Sequence, residues 1–519
     1  MAMDRRTFFK ISGAGAAGVA LGVKNASSFV PAHIWDGYNF GCGPQVKNRL
    51  NQGPFPQYAP EQVLPGSSVV MGTTPSGKVL QNYGMGLVVY ISGDLGPPRI
   101  EGESLQKSLE DLVKLPMAQK IYIRPNWRDI QKQPGKLDFP EYWKITFDLA
   151  KKYNKRVAFR IMLENPDFAE LGPPDFVVEK VPYVKLTGEW RTSPESTRAK
   201  KEHKMPRYDH PAYQAAFREL NALLADELNG NPLVEYMDTF MYGFWGEGHS
   251  WPFEDHPFPD YLTAEKTWMQ MFETQLEYWT KTPLVTNTQP DFSRVGNSEI
   301  LDKTIRTNNW IRTDTIFIEN TQIEALSNRP PWIAAVSEVG MTTGEPDALN
   351  IVEGITYNEQ IIAHVMDVGA NYWSLWNWHN LNANNILSYY NKYPEPIDNI
   401  ARKIGYRVRP SWIWHFQEGD REGLVFGMVN DGISGIPGVL YLTLLDKQGN
   451  EVSSGGLDPG YPKPTGVRQA RMDLPKGVHW EDLKLKAELE VKGQRYPVEW
   501  ACRQSVNDDG TLTLRRNLR

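Results

Sequence analysis

The sequence predicts a (β/α)8 TIM barrel followed by a C-terminal antiparallel β-sandwich. Eight strand-like apolar runs alternate with helix-like segments over about 290 residues, which is typical of a parallel sheet closed by helical crossovers. No GxGxxG motif follows the first run, and this argues against a dinucleotide-binding open sheet. After about residue 405 the pattern changes to short strands separated by turns, which favours a sandwich.

The barrel elements can be placed in order along the chain. The predicted strands are 86–91, 120–124, 156–162, 234–244, 283–286, 315–318, 332–336 and 371–376. Helical spacing of apolar residues predicts helices at 104–115, 140–153, 211–228, 263–281, 298–308 and 358–368. A polar insertion at 164–208 interrupts the third unit.

Four segments follow from this pattern. We predict an export signal at 1–23, a linker and N-terminal extension at 24–85, the barrel at 86–405 and the sandwich at 406–519. The extension is rich in Gly, Pro, Asn and Ser and lacks periodicity, so no strand is predicted in it. Trp412 and Trp414 lie at the start of the sandwich, and we expect them to be buried where it joins the barrel.

The N-terminus has the pattern of an export signal. Arg5 and Arg6 precede the short apolar run 11–23, which is typical of the twin-arginine type. The run is too short for an ordinary transmembrane helix, and no later stretch is apolar and long enough to span a bilayer. The sequence therefore predicts a periplasmic or extracellular protein exported by the twin-arginine pathway.

Composition excludes several classes of function. The 519 residues include 56 Lys and Arg against 62 Asp and Glu, a formal net charge of −6, so nothing favours binding to nucleic acid or to a membrane surface. Two cysteines cannot form a disulfide scaffold. The Asp-His pairs at 209–210 and 255–256 lack metal-ligand spacing, so we expect no metal and no cofactor. The sequence leaves the oligomeric state open.

Two glutamates are the best candidates for catalysis. Active sites of such barrels lie at the C-terminal ends of the strands. Glu247 follows predicted strand four in Trp-Gly-Glu-Gly-His, and Glu338 follows predicted strand seven, 91 residues later. Strands four and seven face each other across the barrel mouth. A pair of facing carboxylates is the arrangement that glycoside hydrolysis requires.

These motifs resemble the clan A glycoside hydrolases, which are retaining enzymes on a (β/α)8 barrel. The Trp-Gly-Glu-Gly-His run also resembles poorly characterised barrel proteins that have a Trp-Gly-Glu-x-His motif after strand four and a C-terminal β-sandwich. The resemblance covers about residues 86–380 and implies that Glu247 is the acid/base and Glu338 the nucleophile. Gly246 is a departure, because many clan A families carry Asn at that position to hold the sugar 2-hydroxyl.

Further residues are predicted to bind substrate. By the resemblance, Arg124 at the end of strand two braces the nucleophile, and a Trp at the end of strand eight forms a floor beneath the sugar. The full set of candidates is Arg124, Trp127, Arg160, Tyr242, Trp245, His249, Glu319, Trp376 and Trp378. Glu319 and Glu164, which follow strands six and three, compete with the catalytic pair for either role.

The hypothesis makes geometric demands. A retaining pair places its carboxyl groups about 5–5.5 Å apart, whereas about 6.5–9.5 Å indicates inversion. One carboxylate is held ionised by a cation, for which Arg124 is the candidate. The other, Glu247, is expected to lie against Trp245, where loss of water raises its pKa and keeps a proton available.

The predicted function is therefore an exported retaining glycoside hydrolase that acts on a poly- or oligosaccharide. Two alternatives remain open from the sequence. One is a non-catalytic barrel that binds polysaccharide through its Trp residues. The other is a polysaccharide lyase, which needs a Tyr or His base beside a carboxylate-binding Arg, and Tyr242, His249 and Arg160 are the candidates for it.

Overall fold

The structure is a computed structural model of the whole chain. It describes residues 43–515 except 56–66, 92–95, 98, 167–170, 188–201, 251–252, 254, 289–295, 314–319, 342–362, 378–386, 389 and 392–393. The predicted export signal therefore lies outside the described residues. None of the helices in the described part of the chain combines the length and apolarity that crossing a bilayer requires.

Eight parallel strands close into a barrel, which confirms the predicted fold class. Each strand pairs with its neighbours in chain order, and the eighth pairs with the first. Barrel strands one to eight are Gly86–Tyr90, Lys120–Ile123, Arg156–Phe159, Val234–Asp238, Leu284–Asn287, Trp310–Arg312, Ala335–Met341 and Tyr372–Asn377.

Alternation along the strands divides the side chains between two apolar layers. Leu87 and Ile121 point outward and pack with the surrounding helices. Val88, Tyr122 and Trp310 belong to a separate cluster, which fills the barrel and continues toward the sandwich.

Three strands differ most in position from the sequence prediction. The sixth strand is Trp310–Arg312, whereas the predicted run 315–318 lies outside the described residues. The fourth strand ends at Asp238, six residues before the predicted end. The seventh extends to Met341, so Glu338 lies within the strand and not after it. The sixth strand was misplaced because it is only three residues long and one of them, Arg312, is charged.

The helices confirm the alternating pattern. Among the described residues they are Leu105–Lys114, Trp127–Ile130, Glu141–Lys152, Asp175–Val178, Pro211–Leu228, Tyr261–Tyr278, Gly296–Arg306, Asn320–Ser327 and Pro394–Ala401. The first shows why they form. Ser104 accepts a hydrogen bond from the Lys107 backbone N–H at the N-terminus, and Leu105, Leu109 and Leu112 form a buried stripe. Only the last part of predicted helix 358–368 lies in the described residues, and residues 363–367 are helical.

The C-terminal region forms two antiparallel sheets, as predicted. The first sheet contains, in spatial order, Asn51–Gln52, Val467–Asp473, Arg421–Asn430, Val408–Glu418 and Ser68–Gly72. The second contains Glu451–Gly456, Val439–Leu445, Lys484–Val491 and Gln494–Pro497, and Leu512–Thr513 also pairs with Lys484–Val491. The two edge strands of the first sheet thus come from the N-terminal extension, where the sequence predicted none.

Aromatic and charged side chains join the sandwich to the base of the barrel. Tyr83 and Tyr496 stack with their ring centroids 3.6 Å apart, and the Arg156 guanidinium lies over both rings. The expectation for Trp412 and Trp414 was wrong, because both remain half-buried. Ile413 between them turns inward and fills the sandwich core, so alternation directs its neighbours to the other face.

The polar insertion contains a hairpin. Strands Tyr183–Thr187 and Glu202–Pro206 pair antiparallel, and the residues between them lie outside the described part. His203 on the second strand is buried and places this hairpin beside the loop after the third strand, as its contact with Glu164 below shows.

Candidate active site

Glu247 lies in a tight glycine-rich loop after the fourth barrel strand. Gly246 and Gly248 on either side of it have φ angles of +75° and +86°, which side chains rarely adopt. A Cβ atom at Gly246 would lie 2.9 Å from the Ile161 carbonyl oxygen, and one at Gly248 would overlap the Trp268 ring. Only glycine fits both positions, and this explains the residues that flank the glutamate.

Backbone hydrogen bonds hold this loop in place. The Met241 N–H donates to the Gly246 carbonyl at 2.7 Å, and the Gly248 N–H donates to Tyr242 at 2.9 Å. Trp245 donates its N–H to the Glu164 carbonyl at 2.9 Å and has a φ of +53°, which is uncommon for a bulky residue. A strained aromatic residue beside a buried glutamate is a feature that clusters at functional sites.

The Glu247 carboxylate is buried and held by cations. Its Oε1 forms an ion pair with Arg160 Nη1 and lies 3.9 Å from Arg124 Nη1, while His249 Nε2 lies 3.4 Å from Oε2. Burial opposes the charged form, but Arg160, then His249 and Arg124, outweigh it and lower the pKa of Glu247. The expectation of a raised pKa beside Trp245 was therefore wrong, because Arg160 lies within bonding distance.

Glu338 is held by a different arginine from the one predicted. Its Oε1 forms an ion pair with Arg312 Nη2 and accepts a hydrogen bond from the Tyr90 hydroxyl at 2.6 Å. The Glu338 backbone N–H donates to the Thr313 hydroxyl at 3.1 Å. Arg124, the predicted partner, contacts Glu247 instead, because the sixth strand places Arg312 beside the seventh.

Asp238 connects the two glutamates through their arginines. It ends the fourth strand and is completely buried. Its Oδ2 pairs with Arg312 Nη1, lies 3.4 Å from Arg160 Nη2 and accepts a hydrogen bond from the Tyr122 hydroxyl at 2.5 Å. The result is a continuous chain of alternating charge, which we call the ion network: Glu247, Arg160, Asp238, Arg312 and Glu338.

Two tyrosines support the network from the first and second strands. The rings of Tyr90 and Tyr122 stack with centroids 4.0 Å apart, and both are fully buried. Burial raises the pKa of each phenol above its ordinary value, so both hydroxyls keep their protons and act as donors.

The sequence missed four residues of this site: Tyr90, Tyr122, Asp238 and Arg312. Strand alternation was the signal that could have found Tyr90 and Tyr122, because both occupy positions that point into the barrel. Asp238 was assigned to the middle of a longer strand, and Arg312 fell before the predicted sixth strand.

Two predicted substrate contacts lie in the apolar core. Trp127 is fully buried, donates to the Gln131 side chain at 2.8 Å and packs edge-on against Tyr213. Tyr242 is also fully buried, and Trp268 is one of the aromatic rings against it. These two predictions are corrected, because core packing leaves neither side chain a surface for substrate.

The remaining predicted residues divide into three groups. Arg124, Arg160 and His249 contact Glu247, and half-buried Trp245 lies 5.8 Å from the His249 ring. Arg160 is fully buried, so it acts on the glutamate and has no free surface for a sugar. The backbone of Trp376 belongs to the eighth strand, but its side chain is not among those that the structure describes. Glu319 and Trp378 are outside the described residues altogether.

Glu164, the competing acid, has a structural role. Its carboxylate accepts from the Gly172 backbone N–H at 3.0 and 3.1 Å, and His203 Nε2 lies 3.2 Å away. It is completely buried, and burial raises its pKa. These contacts fix the inserted hairpin to the loop after the third strand.

The chemistry of the site is that of paired carboxylates. In the described part of the chain, no group of three or more His, Cys, Asp or Glu side chains is arranged to hold a metal ion. Glu338 faces donors that retain their protons, whereas Glu247 lies beside an imidazole that can exchange one. The first arrangement suits a nucleophile and the second suits proton transfer.

Comparison with known proteins shows similarity of fold at low identity. No family model matches the chain, and no curated protein sequence matches it. Solved structures that it resembles include the catalytic domain of beta-amylase from Paenibacillus polymyxa, at 11% identity and a TM-score of 0.39, covering 61% of this chain and 98% of that one. Endo-glycoceramidase II from Rhodococcus sp. is 12% identical with a TM-score of 0.38, covering 76% and 99%.

A third similar structure is alpha-L-fucosidase isoenzyme 2 from Paenibacillus thiaminolyticus, at 10% identity and a TM-score of 0.37, covering 61% of this chain and 48% of that one. These neighbours are glycoside hydrolases, the class that the sequence motifs resemble. At such identities and TM-scores they carry no argument about activity or substrate, and the fold rests on the closed barrel itself.

Proposed function

We propose that the protein is a retaining glycoside hydrolase that cleaves a poly- or oligosaccharide with Glu247 and Glu338. The observation that carries the proposal is the ion network, which positions two buried glutamates on the nearly opposite fourth and seventh units of the barrel. A buried charged network is costly unless its geometry is well satisfied, and a buried acid with a strongly perturbed pKa, such as Glu247, is a candidate functional group.

The surroundings of each acid support separate roles. Glu338 attacks the anomeric carbon, and the bond to the leaving oxygen breaks with its electron pair on that oxygen. The proton for the oxygen comes from Glu247 and His249 acting as a pair, because Arg160 favours the charged form of Glu247 in the substrate-free protein. In the second step the same pair removes a proton from water, which displaces Glu338 from the sugar.

The test is a screen of the purified protein against aryl glycosides and polysaccharides. We expect the wild type to hydrolyse at least one of them and Glu338→Gln to lose this activity. In a proton NMR time course, the first product must keep the anomeric configuration of the substrate. Inversion of that configuration contradicts the retaining mechanism. Polysaccharide binding without turnover supports a binding barrel, and a product with ultraviolet absorbance supports a lyase.

Export remains part of the proposal. Arg5 and Arg6 before an apolar run support transport by the twin-arginine pathway. Replacing both with lysine is expected to retain the protein in the cytoplasm, as cell fractionation will show. Unchanged export of that variant contradicts the assignment.

A further inference from the structure

Asp238 is the one acid in the ion network that contacts both of its bridging arginines. Arg160 uses Nη1 for Glu247 and Nη2 for Asp238, and Arg312 uses Nη2 for Glu338 and Nη1 for Asp238. Each arginine is thus shared between Asp238 and one glutamate. None of the sequence motifs described above includes Asp238, and it is completely buried, so it does not face substrate.

We propose that Asp238 is a positioning residue that couples Glu247 to Glu338. It does so because it shares the charge of Arg160 with Glu247 and the charge of Arg312 with Glu338. The catalytic role of this coupling rests on the proposed function. The coupling itself is a property of the substrate-free protein. Three strands supply the parts: Asp238 from the fourth, Arg160 from the end of the third and Arg312 from the sixth.

The charges suit an exchange between the two glutamates. With Arg124 included, three guanidinium groups face three carboxylates, so the buried cluster is neutral when all are ionised. When Glu338 bonds to the sugar it loses its negative charge, and the Glu247–His249 pair gains one by releasing its proton. Arg312 then interacts mainly with Asp238, and Arg160 interacts more strongly with Glu247. The total charge of the site stays constant, while one negative charge is lost at Glu338 and gained at the Glu247–His249 pair.

Asp238 faces a defined set of ionisable groups. Those that interact with it electrostatically are Tyr90 on the first strand, Tyr122 on the second, Arg160, Tyr236 on its own strand and Arg312. The tyrosines remain neutral because burial raises their pKa values, so among the described residues the two arginines balance its charge.

The coupling can be measured without any substrate. In arginine-labelled protein, the guanidinium N–H resonances of Arg160 and Arg312 are assigned with the Arg160→Lys and Arg312→Lys variants. Glu247→Gln is expected to shift the signals of Arg160, its direct partner, and also those of Arg312. In an Asp238→Asn background the shift at Arg312 is lost. A shift of equal size with and without the Asp238 charge overturns the proposal.

A second measurement leaves Asp238 intact, in case Asp238→Asn does not fold. Glu338→Gln must then shift Arg160, which it does not contact among the described side chains. No response at Arg160 overturns the proposal by itself. Asp302→Asn, which alters an exposed ion pair with Arg306, serves as the matched control and leaves both arginines unchanged.

Kinetics separate coupling from simple structural support. Removing the Asp238 charge favours loss of the proton from the Glu247–His249 pair, so the alkaline limb of kcat/KM moves to lower pH. At neutral pH kcat on an unactivated glycoside falls about tenfold, and KM changes little. A structural role lowers kcat equally at every pH. If the wild type hydrolyses no glycoside, the proposed function fails while the NMR experiment still decides the coupling.

Discussion

A buried carboxylate keeps its charge only when cations or donors replace the water that it has lost. Glu247 and Glu338 are 7% and 2% exposed, and each has an arginine within bonding distance. They differ in their second partner, which is His249 for Glu247 and Tyr90 for Glu338. This difference is the residue-scale basis for assigning them separate roles.

Replacing the two glutamates is therefore expected to have different effects on turnover. Glu338→Ala and the isosteric Glu338→Gln are expected to reduce turnover of every glycoside to background, because no covalent intermediate forms. Glu247→Ala is expected to slow substrates with poor leaving groups by about 10²–10⁴-fold and to spare the first step of activated aryl glycosides. Turnover of both classes with each variant is the measurement.

Azide provides the control for that experiment. It attacks the intermediate without general-base help, so it should restore turnover of activated glycosides in Glu247→Ala and give a glycosyl azide. It should not rescue Glu338→Ala with retention. Equal loss on both substrate classes in Glu247→Ala, without azide rescue, contradicts the assignment.

The sequence located both glutamates but not their partners. Strand-end position and spacing are local features, so Glu247 and Glu338 could be found from the chain alone. Which arginine contacts which acid depends on strand register and on the sixth strand, where Arg312 lies. Arg124 and Arg160 were recognised as site residues, but their partners were not, because a long arginine side chain can reach several neighbouring strands.

At the scale of the element, the loop from Gly243 to Gly248 is shaped by the space around it. A side chain at Gly248 meets the Trp268 ring of the following helix, so the loop and helix pack without a gap. Tight packing at this point fixes the backbone on which Glu247 is carried.

Gly248→Ala is expected to destabilise the protein by about 2–5 kcal/mol. A positive φ costs an alanine on the order of 1 kcal/mol or more, and overpacking against Trp268 adds about 1–3 kcal/mol. Denaturant unfolding at equilibrium measures the change, and activity should fall with it because the Glu247 loop must move.

Gly477→Ala is the matched control for that change. Gly477 has a φ of +82°, close to that of Gly248, but a Cβ atom there would have no heavy atom within 4 Å. It should show the backbone cost alone. If the two variants lose equal stability, the contact with Trp268 is not what requires glycine at position 248.

At the scale of the whole molecule, barrel and sandwich share partly buried polar contacts. Lys492, in the turn between two strands of the second sheet, donates from Nζ to the Trp279 carbonyl at 3.0 Å and to the Asn309 side-chain oxygen at 2.9 Å. Both acceptors belong to the barrel unit. Burial lowers the pKa of Lys492 to about 8.

This lysine makes stability depend on pH in a defined window. In the unfolded chain its pKa is about 10.4, so between about pH 8 and 10.4 the unfolded state binds the extra proton. Wild-type stability therefore gains from this group as pH rises through the window, by at most about 1.4 kcal/mol per pH unit. Lys492→Met is expected to lack that gain, so its stability relative to wild type falls as pH rises.

Unfolding free energies of both proteins at several pH values test this expectation. Lys447→Met is the control, because Lys447 is an exposed turn residue paired with Asp482. It should follow the wild-type pH dependence. The same dependence in Lys492→Met and wild type would show that the lysine is not buried at the junction.

The sequence by itself determined the alternation of strands and helices, the change to a sandwich and the positions of the two glutamates, because each depends on periodicity or short spacing. Tertiary structure alone decided that Asn51–Gln52 and Ser68–Gly72 complete a sheet formed by the C-terminal region. It also decided that Asp238 and Arg312 join the site. Pairing between distant segments and the sharing of charges inside a barrel depend on three-dimensional proximity, which no local pattern records.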